Sequence, residues 1–168
     1  MVRILVVIMF IYLCFKWGDW KNWPHFYPTI LYFIIGDLSS NILTYSKPLW
    51  LYGGSFWNHT FADYFIAFAL FPSVIILFLS NLPNNIIRQI WYIISWIFTM
   101  SVLEFIGYIG GGIYFYNGWN IGWSILFYTI MFPMLLLHYK KPIFSWTISI
   151  VLAFVIMAIF DIPLSGLR

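Results

Sequence analysis

Charge is what this sequence has least of. Its 168 residues include eight Lys or Arg and five Asp or Glu, 8% in all, against about 25% in soluble domains. So few charges cannot clothe a water-facing surface on a chain of this size, and lipid must replace water around most of it. A net charge of +3 without a basic cluster excludes a nucleic-acid partner and bears instead on orientation in a bilayer. The single cysteine, Cys14, excludes an intrachain disulfide, a CxxC redox pair and a Cys-rich zinc site. Set in an apolar run, it reads as a small hydrophobe. The run before it ends in Leu13, not the small residue that a lipoprotein cleavage site needs. No small-x-small signature follows the first apolar run either, so that run is expected to be a retained helix and not a signal peptide. Catalytic motifs are lacking too. There is no GxSxG elbow, HExxH pair or thiol pair, and Gly36-Asp37 lacks the first glycine of a GxGD protease motif. No enzyme, metal or cofactor is expected.

What is present is apolar: 63% of residues are hydrophobic and 24% aromatic. The apolar runs predict an all-α membrane protein, a bundle of about six transmembrane helices forming one integral membrane domain over residues 1–168. The expected helices cover about residues 2–17, 28–45, 61–79, 86–108, 121–138 and 143–160. Gly18 and Asp19 end the first, and Pro24 and Pro28 are expected to delay the second. The intervening segments read as loops, with Pro72 and Pro133 inside helices 3 and 5. Leu70-Phe71-Pro72 echoes Met131-Phe132-Pro133 faintly enough for chance. The GxxxG matches at Gly107 and Gly118 fall at span ends, where they say little about packing. Most of the ten tryptophans, among them Trp50, Trp57, Trp91, Trp119 and Trp123, fall near span ends, as an aromatic belt requires. An aromatic-lined pocket or cation–π cage on the outer side is the other reading.

Lys16, Lys21, Arg88, Lys140 and Lys141 lie in or beside loops 1, 3 and 5, whereas Arg3, Lys47 and Arg168 lie at the opposite ends. The positive-inside bias therefore puts loops 1, 3 and 5 in the cytoplasm.

Four of the five acids carry the functional question. Asp37 lies about 14 Å into helix 2 at 1.5 Å per residue, near the bilayer midplane, where an acid costs about 3 kcal/mol and marks a functional site by default. Asp37, Ser40, Asn41 and Thr44 share one helical face, which must point into the bundle. The predicted topology places Asp63, Glu104 and Asp161 on the outer side, where they would form an acidic mouth above Asp37 that attracts cations. Ser101 and Tyr108 share the face of Glu104. The bland alternative is that Asp63 favours a helix N-terminus and that Arg3, Lys47 or Arg168 neutralises the others. His59 and Asp63 have metal-ligand spacing, but two ligands define no site. Asn58-His59-Thr60 fits a glycosylation sequon, a frequent chance match.

The block KWGDWKNW, followed by YPTILYFIIGDL, NILTY and KPLW over residues 16–50, resembles an uncharacterised family of small multi-pass membrane proteins from spore-forming Firmicutes. The resemblance implies a bacterial plasma membrane protein and carries over no functional residue. Two expectations remain. In one, the chain is a small transporter- or channel-like protein with Asp37 as a cation or proton site and Ser40 and Asn41 in support. In the other, it is a non-catalytic sensor, receptor or assembly partner in which the polar face of helix 2 is glue between helices. The bilayer is the one certain partner. A cation or small ligand, a second copy or a membrane partner follows from whichever expectation holds.

Overall fold

A computed structural model of the chain describes residues 2–53 and 58–163. Trp57, Gly166, Arg168 and the side chain of Arg3 lie outside the described residues. The fold is all-α apart from one strand pair. Its helices are α1 (Val2–Trp17), α2 (Trp23–Leu43), α3 (His59–Ser80), α4 (Ile86–Ile109), α5 (Ile121–Lys140) and α6 (Pro142–Ile159). Helices α3 to α6 are long and apolar enough to cross a membrane, and α1 is apolar but shorter. Helix α2 has the length, at 21 residues, but carries the polar stripe that starts at Asp37.

The outward surface agrees with a membrane setting. Helix α4 has no buried residue, and Ile87, Ile90, Trp91, Ile94 and Phe98 on it are exposed, as are Ile143, Ile150, Val151 and Phe154 on α6. Continuous apolar area of this kind would aggregate in water and is what lipid requires. The protein is a membrane protein. Trp17, Trp20 and Trp23 are exposed together at the α1–α2 turn, with the Lys16 ammonium 4.7 Å from the Trp17 ring.

Helix α3 is the central element. Every residue from Ser73 to Leu79 is buried. Helices α1 and α2 pack against it directly. The Phe78 ring meets Tyr92 and Trp96 of α4 and Phe132 of α5. Between α2 and α5 the core continues through Phe26, Ile30, Ile34, Met131 and Leu135.

Three local features differ from the sequence expectation. Helix α2 starts at Trp23, not near residue 28, because Pro24 stands in its first turn, where a missing N–H costs nothing. Pro28 then removes a single internal bond. In α3 the backbone widens into a π segment, Ile66–Leu70, just before Pro72, which has no N–H to offer. π turns of this kind absorb a missing donor and often lie at functional sites; the turn before this one carries Asp63.

The third difference is the strand pair. The segments expected as loops contain β1 (Trp50–Tyr52) and β2 (Ile113–Phe115), which pair antiparallel with Trp50 opposite Phe115 and Tyr52 opposite Ile113. Pairing satisfies backbone groups where water is scarce. The turn into β2 depends on Gly111, whose φ is +66°. There Gly112 N–H bonds the Gly107 carbonyl at 2.7 Å and Gly111 N–H bonds the Tyr108 carbonyl at 3.1 Å, the two bonds of a Schellman cap. The strand pair holds loops 2 and 4 at one end of the bundle. At the other end Asn81 Nδ2 donates to the Trp17 carbonyl at 2.9 Å, linking loops 1 and 3.

Candidate functional site

The stripe on α2 is sorted by its hydrogen bonds. Ser40 Oγ donates to the Asp37 carbonyl at 2.8 Å and Thr44 Oγ1 to the Ser40 carbonyl at 2.8 Å, so both turn back on their own helix. Asn41 reaches across. Its Nδ2 donates to Asp63 Oδ2 on α3 at 2.9 Å while also touching the Asp37 carbonyl at 3.1 Å.

Asp63 is only 4% exposed. With Oδ2 taken by Asn41, its Oδ1 is buried without a hydrogen-bond partner, and Asp37 Oδ2 is buried in the same condition. The two carboxyls act on each other electrostatically. No lysine or arginine among the described residues forms an ion pair with either. Two neighbouring carboxylates in a dry site repel unless a proton or cation is shared between them. Buried polar atoms are nearly always satisfied in native proteins, so these two orphaned carboxyl oxygens are the most unusual feature among the described residues.

Asp37 and Glu104 line one cavity of about 1190 Å³ in the middle of the bundle. Helix α2 supplies Phe33, Gly36 and Asp37 to its wall. Helix α4 supplies Met100 and Glu104, and α5 supplies Ser124 and Tyr128. Tyr52, Gly53 and the glycines of the α4 cap close it at the strand-pair end. The Tyr32 hydroxyl and Ser149 Oγ, 2.6 Å apart, also line it. No lysine, arginine or histidine is among the described lining residues.

Glu104 is satisfied where Asp37 is not. Its Oε1 accepts from Ser124 Oγ at 2.7 Å, and that hydroxyl accepts from Trp119 Nε1 at 3.0 Å. Its sequence-expected face mates take no part: Ser101 Oγ bonds the Ile97 carbonyl at 2.8 Å, and the Tyr108 ring stacks on Phe115. Its partner is Ser124 of α5, with Tyr128 one turn on in the same cavity wall. Their i, i+4 spacing was the available signal, a polar pair on one face of an otherwise apolar helix.

The acidic mouth does not assemble as expected. Asn41 links Asp63 to the Asp37 turn of α2, Glu104 lines the same cavity as Asp37, and Asp161 belongs to neither group. Asp161 follows the end of α6 with φ +48°. Its N–H bonds the Ala158 carbonyl at 3.4 Å and Ile162 N–H bonds the Met157 carbonyl at 2.9 Å, another Schellman cap, with Met157 and Ile162 buried in one apolar cluster. Lys47 Nζ completes this end by donating to the Phe160 carbonyl at 2.7 Å and the Asp161 carbonyl at 3.3 Å, so it caps a helix and does not neutralise a carboxylate. Asp161→Gly should therefore stabilise the protein by about 1 kcal/mol, since glycine adopts the left-handed conformation without strain. A detergent-unfolding titration would show it, and a loss of stability would mean that the Asp161 carboxylate has a role of its own.

His59 serves the loop. Its Nδ1 accepts the Tyr52 N–H at 3.1 Å. No group of three or more His, Cys, Asp or Glu side chains that could hold a metal occurs among the described residues. Asn58 caps α3, its Oδ1 accepting from Phe61 N–H at 2.8 Å. A buried cluster toward the opposite end was not anticipated from sequence. Thr29 Oγ1 and His138 Nδ1 are 3.0 Å apart, and the His138 ring stacks on Tyr32 at 4.2 Å. It ties α2 to α5.

No family model, curated protein or solved structure matches the chain.

Proposed function

We propose that this membrane protein is a small transporter- or channel-like protein whose cation or proton site is the carboxyl pair Asp37 and Asp63. The reading is carried by one observation: the buried and unpartnered oxygens Asp37 Oδ2 and Asp63 Oδ1, on two helices that Asn41 links. A group kept at such a cost inside a bundle serves exchange better than cohesion, because cohesion would be served by a satisfied pair. Asn41 positions Asp63, and Ser40 has only a local role. Pro72 and the π segment beside it provide a place where α3 can flex.

The protein belongs, in this reading, to a bacterial plasma membrane, as the resemblance over residues 16–50 implies. Loops 1, 3 and 5 face the cytoplasm, a placement supported by Lys16, Lys21, Arg88, Lys140 and Lys141 at that end. In vesicles carrying a pH-sensitive dye, an imposed membrane potential should drive proton or cation flux through the reconstituted protein. Asp37→Asn should cut that flux at least tenfold; undiminished flux would remove Asp37 from the pathway.

The Asn41–Asp63 bond favours a second reading, a sensor or assembly partner in which α2 and α3 are tied by polar contacts. Under that reading Asp37→Asn lowers thermal stability, and neither variant nor parent carries flux.

A further inference from the structure

The cavity is far larger than a proton or a bare inorganic cation needs, and its walls are wrong for one. A volume of about 1190 Å³ is at or above the upper end of pockets that hold drug-sized molecules, about 300–1,000 Å³. A metal ion asks for several converging oxygen or nitrogen ligands, and no such cluster occurs among the described residues. The walls are instead mainly aliphatic and aromatic, with Phe33, Trp50, Trp123 and Phe127 among them.

The charges that reach the cavity have one sign. Asp37 and Glu104 line it, and no basic side chain among the described lining residues offsets them. Glu104 has its own donor in Ser124, which leaves Asp37 as the unanswered carboxyl. An apolar chamber whose described lining has no basic side chain gives an anion no counter-charge, and a neutral hydrocarbon leaves the Asp37 carboxyl without a partner. It suits a molecule with an apolar body and a single positive centre. Aromatic faces add attraction for a poorly hydrated cation, and burial makes the charge complementarity count for more than it would in water.

We infer that the central cavity binds an amphiphilic organic cation, with Asp37 facing its positive centre and the aromatic walls of α2, α5 and β1 enclosing its apolar body. The inference rests on the reading of Asp37 and Asp63 as a cation site and names the class of molecule that occupies it. Gly36 offers a way to block it. It lines the cavity, and a Cβ added there meets nothing within 4 Å, so a side chain can start at this position without a backbone clash, and a phenyl ring would take up chamber volume.

The test uses two probes of nearly equal shape and opposite charge, tetraphenylphosphonium and tetraphenylborate, with the protein in lipid nanodiscs and empty nanodiscs as the blank. Saturable binding of tetraphenylphosphonium is expected, with no saturable binding of tetraphenylborate. Asp37→Asn should weaken the cation at least tenfold, and Gly36→Phe should abolish its binding. Ile150→Ala, on the outward face of α6 and outside the cavity lining, should bind as the parent does, and an unchanged unfolding midpoint for Gly36→Phe would show that the substitution leaves the fold intact. Equal binding of both probes would mean that the chamber selects apolarity alone, and no binding of either would mean that it takes no such ligand; each overturns the inference. Conductance in the flux assay without phosphonium binding removes this inference and leaves the transport reading. Phosphonium binding without any flux does the reverse.

Discussion

Asp37→Leu is expected to unfold at higher detergent than the parent, by about 2 kcal/mol, while losing all flux. The gain follows from what the carboxyl lacks. Asp37 Oδ2 is buried with no hydrogen bond, Asp63 acts on it electrostatically, and no lysine or arginine among the described residues forms an ion pair with either of them. Leucine removes the unsatisfied group, the repulsion, and most of the roughly 3 kcal/mol that an acid costs at the centre of a spanning helix. It also fits the surroundings, since Phe33 and Ile75 line the same cavity. Asn41→Leu should move the other way. It deletes the donor to Asp63 Oδ2 and leaves both oxygens of a buried carboxyl unsatisfied, a change that destabilises by about 1–3 kcal/mol. The opposite signs are the point of the pair, because a stability cost kept in the native sequence is what a functional site predicts. A drop in stability for Asp37→Leu in an SDS titration would show that the carboxyl holds the bundle together, and the sensor or assembly reading would then stand.

Phe78→Ala should be the most damaging single truncation in the described core, at about 3 kcal/mol. The Phe78 ring is fully buried. It lies 5.0 Å from the Phe132 ring, 5.7 Å from Tyr92 and 5.9 Å from Trp96, and so joins α3 to α4 and α5 at one point. Between helices in lipid there is no hydrophobic gain to lose, because the tails are as apolar as the side chains. The loss would come from dispersion contacts and ring geometry that no neighbour can restore. Ile150→Ala is the matched control. Ile150 is 55% exposed on the outward face of α6 and should change stability by about 0.5 kcal/mol or less. Comparable losses for the two in the same titration would mean that Phe78 does not knit the bundle.

Much of the fold was legible in advance because the helices are long apolar runs punctuated by Asn, Gly and Pro. The runs after Asn58, Asn85 and Asn120 begin where those side chains accept backbone N–H bonds, the expected behaviour of an N-cap. The start of α2 was not legible, since proline at the first turn of a helix and proline before a helix look alike in sequence. The strand pair was hidden for a different reason. Trp50–Tyr52 and Ile113–Phe115 are short and aromatic, and they become strands only through each other.

The candidate site divides along the same line. The shared face of Asp37 and Asn41 follows from helical periodicity alone, but the place of Asp37 along α2 does not, because the helix starts at Trp23 and puts Asp37 about 21 Å along it. That Asp63 is the companion of Asp37 does not follow either, because Asp63 reads equally well as an acid at a helix start. Asp161 was misplaced because its left-handed φ and its part in a cap are properties of the finished turn. Glu104 was given the wrong partners because its own helix was searched for them and α5 was not.

By itself, then, the sequence determined the solvent of this protein and the number of its helices, since both depend only on composition and run length. The tertiary structure alone decided where along α2 Asp37 lies, which acids are satisfied, and that Asp37 and Glu104 line one chamber with no basic side chain among its described lining residues. The physical reason is the bilayer. In water, one apolar stripe tells a helix which way to turn; in lipid, both the inward and the outward faces of α3 to α6 are apolar, and only packing reveals the rotation that brings Asp37 beside Asp63 and leaves two carboxyl oxygens without a partner.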